Sequence, residues 1–290
     1  MPSPVESVTP NLLREWALPS GAESKYDRGR ILVIGGSRKT PGAAVLAGLA
    51  ALRVGAGRLT LAVGESVAVQ VAVAVPESGV IGLPETPSGS VSGISADEIT
   101  RDASQADAIL IGSGLDHAGE ALTLMRLLLA EGTAEAPVVI DAFALSALPE
   151  LGDELEPWRG RMVLTPNKNE AARLLGREIE TLGDDLARIA DRYRAVVASF
   201  GIVAAPDGSR WDVGSGQAGL STSGSGDVLA GAIAGILARG ASPEQAACWG
   251  THLHAAAGDR LAARIGPTGY LARELLDELP LVLLELGQRV

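Results

Sequence analysis

The sequence predicts a three-layer α/β fold, a mainly parallel sheet with an antiparallel edge and helices on both faces. Three observations carry this. Short apolar runs such as Arg30-Ile31-Leu32-Val33-Ile34 have the uninterrupted hydrophobicity of strands buried on both sides. These runs end in small or polar residues and hand over to helical patterns. Late in the chain two further runs flank Pro206-Asp207-Gly208, residues that turn a chain back on itself.

The elements follow in order. Residues 1–29 are polar and dotted with proline around one short amphipathic piece, 11–17, and read as a surface lead-in; 30–290 read as one domain. The first strand ends in Gly35-Gly36-Ser37. Residues 42–54 then carry Ala and Leu on every face with Arg53 the sole charge, the pattern of a helix buried on most sides. Gly55-Ala56-Gly57 stops it and Arg58 to Val63 begin a second strand, which completes a βαβ unit. The run 67–75 is too apolar for a free surface helix and predicts core or a subunit interface. Residues 84–95 form a Pro/Gly/Ser loop.

Strands 107–111, 138–140 and 162–164 then end in Gly112-Ser113-Gly114-Leu115, in Asp141 and in Thr165-Pro166-Asn167-Lys168-Asn169-Glu170. Ligands of open α/β sheets lie at such C-terminal strand ends. A helix over 184–194, a strand from Ala195 and the hairpin follow. Ser242-Pro243-Glu244-Gln245 has capping-box spacing with proline at the first helical position and opens a helix to about Arg264. Residues 271–279 close the chain as a helix.

The chemistry concentrates in Ser221-Thr222-Ser223-Gly224-Ser225-Gly226-Asp227, which leads directly into an apolar helix. Small residues let a phosphate approach the backbone, and the free amides at a helix N-terminus attract it. Asp227 is read in two ways: a helix cap, or a general base that takes a hydroxyl proton while the amides hold the transferring phosphoryl group. The loop 35–42 matches neither the P-loop nor the dinucleotide fingerprint.

Composition narrows the partners. With 47% apolar and 20% charged residues the chain has a dry core. A formal charge of −11 opposes nucleic acid and anionic membrane, so an anionic ligand must be held locally. No apolar run reaches membrane-spanning length and no signal segment is evident, so a cytoplasmic protein is expected. Cys248, the single cysteine, lies in an apolar helical run and reads as inert packing; His252 and His254 fall on different helix faces and read as packing or surface residues rather than a shared metal site.

Taken together, Pro41-Gly42-Ala43-Ala44, Gly55-Ala56-Gly57, Gly112-Ser113-Gly114-Leu115 and Ser223-Gly224-Ser225-Gly226-Asp227-Val228-Leu229-Ala230-Gly231 make the chain resemble the ADP/ATP-dependent NAD(P)H-hydrate dehydratases of the ribokinase-like superfamily, from about Arg30 to Leu279. The resemblance implies a repair reaction, ADP being the expected donor: a nucleotide phosphorylates the ring hydroxyl of (S)-NAD(P)H hydrate, and phosphate leaves to restore NAD(P)H. Asp227 would be the base. Ala43, Gly114, Asn167 and Asp227 would face the hydrate, while Ala198, Ser199, Gly224, Ser225 and Gly226 would face the nucleotide phosphates. Mg²⁺, a homotetramer and a separate NAD(P)H-hydrate epimerase are implied as well, the chain being too short to hold an epimerase domain.

Three places depart from the family pattern. Its histidine in Thr-Pro-His-Pro-Gly-Glu is Asn167 here, its Lys-Gly pair is replaced within Ala198-Ser199-Phe200-Gly201, and the second carboxylate of Asp-Ala-Asp-Ala-Leu is Phe143. Lys168 is a candidate replacement charge. Asn167-x-x-Glu170 also matches the spacing with which ribokinase-like sugar and vitamin kinases organise Mg²⁺ and phosphate, so a small-molecule kinase is the alternative; Glu170 otherwise reads as an exposed first-turn carboxylate. A nucleotide-binding homologue with weakened activity is the third reading.

Overall fold

The apolar runs become the strands of one sheet. The computed structural model describes residues 5–19, 24–25, 27–94, 97–130, 135–214, 216 and 218–287. The strands are β1 (Val5–Ser7), β2 (Arg30–Ile34), β3 (Arg58–Gly64), β4 (Ser78–Leu83), β5 (Ala108–Ile111), β6 (Val138–Ile140), β7 (Met162–Leu164), β8 (Val196–Ser199), β9 (Ile202–Ala204) and β10 (Arg210–Asp212). Their order is β1-β10-β9-β8-β7-β6-β5-β2-β3-β4. Among the described strands only β9 runs against its neighbours, pairing antiparallel with both β8 and β10. The hydrogen-bonding of β2 to both β3 and β5 puts the reversal of strand order there. A crevice for ligands opens at such a reversal, beyond the C-terminal strand ends.

The α-helices are α1 (Pro10–Glu15), α2 (Pro41–Arg53), α3 (Glu65–Ala74), α4 (Asp97–Gln105), α5 (Ala118–Ala130), α6 (Leu148–Leu151), α7 (Lys168–Leu175), α8 (Leu182–Tyr193), α9 (Ser225–Ala238), α10 (Pro243–Ile265) and α11 (Ala272–Glu285). Two buried clusters separate them into layers. One joins Val33, Leu61 and Val139 to Ala47 of α2, Ile233 of α9, Trp249 of α10 and Leu279 of α11. The other joins the alternate strand residues Leu32, Ile109 and Ile140 to Leu124 of α5, Leu174 of α7 and Ile189 of α8. Alternation along each strand divides the core between the two faces.

Four segments differ from the sequence reading. The lead-in is built into the fold: β1 pairs with β10, Leu13 and Leu18 are buried, and the Trp16 carbonyl accepts from Trp249 Nε1 at 2.9 Å and Gln245 Nε2 at 3.0 Å. Apolar side chains hidden in a polar segment, with partners more than 200 positions away, explain why it read as surface. Residues 1–4, 20–23 and 26 of that lead-in, together with Ser95 and 288–290, lie outside the described residues. The strand β4 and the helix α4 were missed, because the sequence of β4 is interrupted by Gly79 and Gly82 and that of α4 is largely polar. The closing helix also runs beyond Leu279 to Glu285, across Pro280.

The apolar run 67–75 lies mostly in α3, where Val71 is buried while Val69 and Val73 are 73% and 78% exposed. No helix among the described residues is long and apolar enough to cross a membrane.

The helix carrying Asp227 is seated by an absence of side chains. A Cβ placed on Gly231 would overlap the carbonyl of Ala47, and one on Gly235 would come within 2.6 Å of Ala51 Cα, so α9 lies backbone to backbone against α2. Replacing Gly231 by Ala forces the two helices apart. A loss of about 1–3 kcal/mol is expected, the usual cost of overpacking, and thermal unfolding followed by circular dichroism measures it.

Candidate active site

Five segments converge beyond the strand ends: the loops after β2 and β5, the ends of β6 and β7, and the N-terminus of α9. Backbone bonds stitch the first two together, with Gly36 N donating to Ser113 O at 2.9 Å and Ser37 N to Gly114 O at 2.8 Å; Thr40 Oγ1 donates to the same Gly114 carbonyl at 2.8 Å. Gly114 has φ +83°, and a Cβ there would lie 2.9 Å from Gly36 N and 3.1 Å from Ala43 Cβ. Ala43 and Gly114, predicted to share a substrate wall, are thus neighbours.

The predicted anion loop opens α9. Gly224 takes the left-handed conformation at the N-cap, Ser225 N donates to Thr222 O at 3.2 Å, and Gly226 is exposed with open space around its Cα. The first-turn amides of a helix have no partner within it and are available to a phosphate. Ser225 is buried, and its hydroxyl lies 2.8 Å from His254 Nε2 on α10. Burial holds His254 well below its ordinary value, at about 4, so it is neutral and steadies the loop by hydrogen bonding rather than charge. Its packing role was read from the sequence; its contact with the anion loop was not, because 29 positions separate the pair. Cys248 is buried, and burial raises its thiol pKa, as expected of an inert cysteine.

Asp227 lies in the first turn of α9, half-buried. It makes no side-chain cap; the N-cap is Gly224. Burial raises its carboxyl to about 6, opposed by a hydrogen bond from Ser113. Asp141, buried at the end of β6, accepts from Thr165 Oγ1 at 2.8 Å and from Ser113 Oγ at 3.1 Å. Burial lifts its carboxyl to about 7, with further upward pushes from the charges of Asp227 and then Glu170. The repulsion falls on Asp141, the more enclosed of the two. Asp141 and Ser113 stood inside motifs quoted from the sequence, yet nothing in one dimension joins a strand end at 113 to another at 141.

Asn167 and Glu170 close the far side as a capping box. Asn167 N donates to Glu170 Oε2 at 2.8 Å, while Asn167 Oδ1 accepts from Glu170 N at 3.0 Å and Asn169 N at 2.9 Å. Burial raises the Glu170 pKa, against the pull of the Asn167 amide. The Asn-x-x-Glu spacing therefore has a structural explanation in helix capping. Lys168 is exposed in the first turn of α7, and Phe143, at the place of the second family carboxylate, is 46% exposed on the rim. Among the described residues no group of three or more His, Cys, Asp or Glu side chains forms a metal cage.

Ala198 and Ser199 depart from the expected placement. Both are buried in β8, and Ser199 Oγ donates to Pro166 O at 2.6 Å. The chain turns tightly into β9 through Phe200 (φ +49°) and Gly201 (φ +79°), with Ser199 paired to Ile202. It is the tip, where Phe200 is 63% exposed, that can meet a ligand, because the strand residues before it face the core.

Similarity to known proteins agrees with this geometry. The sequence profile of NAD(P)H-hydrate dehydratase matches residues 31–281. The chain is 44% identical over 288 residues to an ADP-dependent (S)-NAD(P)H-hydrate dehydratase of Xanthomonas campestris, covering 96% of each. It is 39% identical to the bifunctional NAD(P)H-hydrate repair enzyme of Moorella thermoacetica, matching 93% of this chain and about half (52%) of that longer protein. The ADP/ATP-dependent NAD(P)H-hydrate dehydratase of Bacillus subtilis, solved after co-crystallisation with ATP and Mg²⁺, superposes with a TM-score of 0.79 at 27% identity, over 97% of this chain and 99% of that one.

The enclosed carboxylate has a consequence for stability. A carboxyl whose folded pKa lies above its unfolded value stabilises the fold fully at low pH and loses that contribution as pH rises through the folded value, near 7 for Asp141. Asp141→Asn cannot ionise. It is expected to match the parent protein near pH 4 and to melt higher at pH 8, by about 2–4 °C for each kcal/mol of repulsion removed; melting curves across pH 4–8 check this. With the strand ends, the anion loop and the matching relatives in register, this chain belongs to the NAD(P)H-hydrate dehydratase family.

Proposed function

We infer that the chain restores NAD(P)H from (S)-NAD(P)H hydrate in a nucleotide-dependent dehydration, with ADP the preferred donor. The observation that carries this is Asp227: a half-buried carboxylate with a raised pKa in the first turn of a phosphate-suited helix, with Ser113, next to Gly114, as its hydrogen-bonding neighbour. The names of the relatives at 44% and 27% identity support the substrate and the donor.

In this reading Asp227 removes the proton of the ring hydroxyl as its oxygen attacks the terminal phosphoryl group. The amides of Gly224 and Gly226 receive the charge that builds on the phosphoryl oxygens, with Ser225, whose own amide is bound to the Thr222 carbonyl, holding the loop between them. Phosphorylation turns hydroxide, a poor leaving group, into phosphate, a good one. Ala43 and Gly114 form a side-chain-poor wall against the nicotinamide ring, and Asn167 meets it from the opposite side. The exposed tip Phe200-Gly201 takes the place of the family's Lys-Gly contact to the nucleotide, so the loop amides bear more of the phosphate binding. Mg²⁺ binds through one or two carboxylates plus phosphate oxygens, and with no protein cage among the described residues the nucleotide itself would supply most of its ligands; Glu170 is the candidate carboxylate. The kinase alternative shares Asp227 and the Mg²⁺-nucleotide with this reading and differs in whether elimination follows transfer.

The same reading places the protein in the cytoplasm, where nucleotide and reduced nicotinamide are made and used. An NAD(P)H-hydrate epimerase is its proposed pathway partner, a pairing in keeping with relatives named bifunctional repair enzymes. The exposed Val69 and Val73 on α3 support a homotetramer in which this face is covered.

Purified protein given the hydrate, Mg²⁺ and ADP should recover reduced-nicotinamide absorbance, and omission of nucleotide should abolish it. Asp227→Asn should slow the recovery about 100- to 10,000-fold, the usual contribution of a general base. Because the base acts ionised, the parent rate should fall as pH drops through about 6. Retained turnover in the variant would remove Asp227 from the role. Light scattering tests the assembly: a tetramer mass is expected, falling to a smaller species in Val69→Asp/Val73→Asp, and a parent monomer rejects it.

A further inference from the structure

The chain has two phenylalanines, Phe143 and Phe200, and both stand exposed at C-terminal strand ends, after β6 and β8. Trp158, Trp249 and Tyr270, by contrast, are buried. A single exposed apolar side chain needs no explanation. These two share more than exposure: each stands where the family pattern has a charged residue, and each lies at a left-handed turn, Phe200 itself at φ +49° and Ala142, before Phe143, at φ +50°. Left-handed backbone is costly for a residue with a Cβ and collects at ligand sites.

Phe143 is the one that lines a cleft. With Ala142, Leu145, Ser146, Glu170 and Arg173 it surrounds a solvent-open space of about 310 Å³, a size at which small-ligand clefts begin. The cleft runs between the 3₁₀ turn Ala142–Ala147 and the first two turns of α7. Ser146 Oγ donates to the Phe143 carbonyl at 2.6 Å, which fixes the backbone behind the ring. On the other wall Glu170 accepts from the Asn167 amide through Oε2 at 2.8 Å, and Arg173, exposed, acts on Glu170 by charge rather than through a hydrogen bond. An aromatic face therefore stands opposite a cation, the combination that suits a base and its phosphate.

The position of the cleft selects the ligand. Its walls belong to the layer of α5, α7 and α8, whereas the anion loop opens α9 in the opposite layer. It also adjoins Asp141 and Asn167, on the side of the site given to the hydrate. Resting on the dehydratase reading, we propose that this cleft takes the adenosine half of the hydrate, with the base stacked on Phe143 and a phosphate of the dinucleotide paired with Arg173. Phe143 is then a specificity-determining residue that acts far from the reacting ring. A carboxylate at this place would repel the phosphate; the phenylalanine removes that repulsion and adds a stacking surface.

Titration with the reduced products tests this apart from the reaction, because NADPH, NADH and reduced nicotinamide mononucleotide share one ring and the last has no adenosine. Phe143→Leu and Phe143→Asp should weaken NADPH and NADH about tenfold or more, the scale of one base–aromatic stack, while the mononucleotide and ADP bind as to the parent protein. With the hydrates as substrates, the loss should appear in KM rather than in kcat. Arg173→Gln identifies the phosphate: a loss confined to NADPH assigns the 2′-phosphate, and an equal loss for NADPH and NADH assigns the diphosphate. A parent protein that binds NADPH no tighter than the mononucleotide, a phenylalanine variant that loses the mononucleotide equally, or a loss that falls on ADP overturns the proposal, as does an Arg173→Gln variant with no loss for either dinucleotide. A parent protein that shows the expected discrimination yet restores no reduced nicotinamide from the hydrate rejects the dehydratase reading instead.

Discussion

Everything at the site depends on how closely α9 lies against α2. Gly231 and Gly235 of one helix meet the backbone at Ala47 and Ala51 of the other, and no side chain larger than hydrogen fits at either crossing point. That contact directs the N-terminus of α9 toward the strand ends, and with it the anion loop and Asp227. It also ties the two halves of the chain together, since α2 follows the first site loop and α9 follows the last. The N-terminal segment reinforces this layer from behind, through the Trp16 carbonyl and the side chains of Gln245 and Trp249.

The second constraint is electrostatic. Three carboxylates share one end of the sheet in an acidic chain. Asp141, Asp227 and Glu170 crowd the strand ends, and the pKa of each is raised chiefly by burial. A pair of carboxylates that resists holding two negative charges in a dry place tends to share a proton. Ser113 and Thr165 are the groups that make that enclosure tolerable, because each gives a hydrogen bond to a carboxylate that water does not reach.

The substitutions relative to the family pattern fall unevenly over this frame. Asn167 retains a helix-capping task, and Phe143 occupies the rim rather than the buried carboxylate pair. The tight turn at Phe200-Gly201 joins β8 and β9 in antiparallel register. Asp227 and Ser113 fall outside these departures.

Much of the fold was written in local pattern. The apolar runs of β2, β3, β5, β6 and β7, the stops at Gly55-Ala56-Gly57 and the capping signals of α10 are properties of neighbouring residues, and the backbone obeys them. The small-residue loop 221–226 likewise leads into a helix where the pattern puts one, with Asp227 in its first turn. The lead-in, β4 and α4 were not legible, because their burial or pairing is supplied by residues far along the chain. Nor could the sequence show that Ala198 and Ser199 are buried, that His254 reaches Ser225, or that Ser113 donates to Asp141. Sequence by itself determined which residues could carry the chemistry; tertiary structure decided which of them meet, because contact across strand ends is set by the stacking order of the sheet, and that order does not follow the order of the chain.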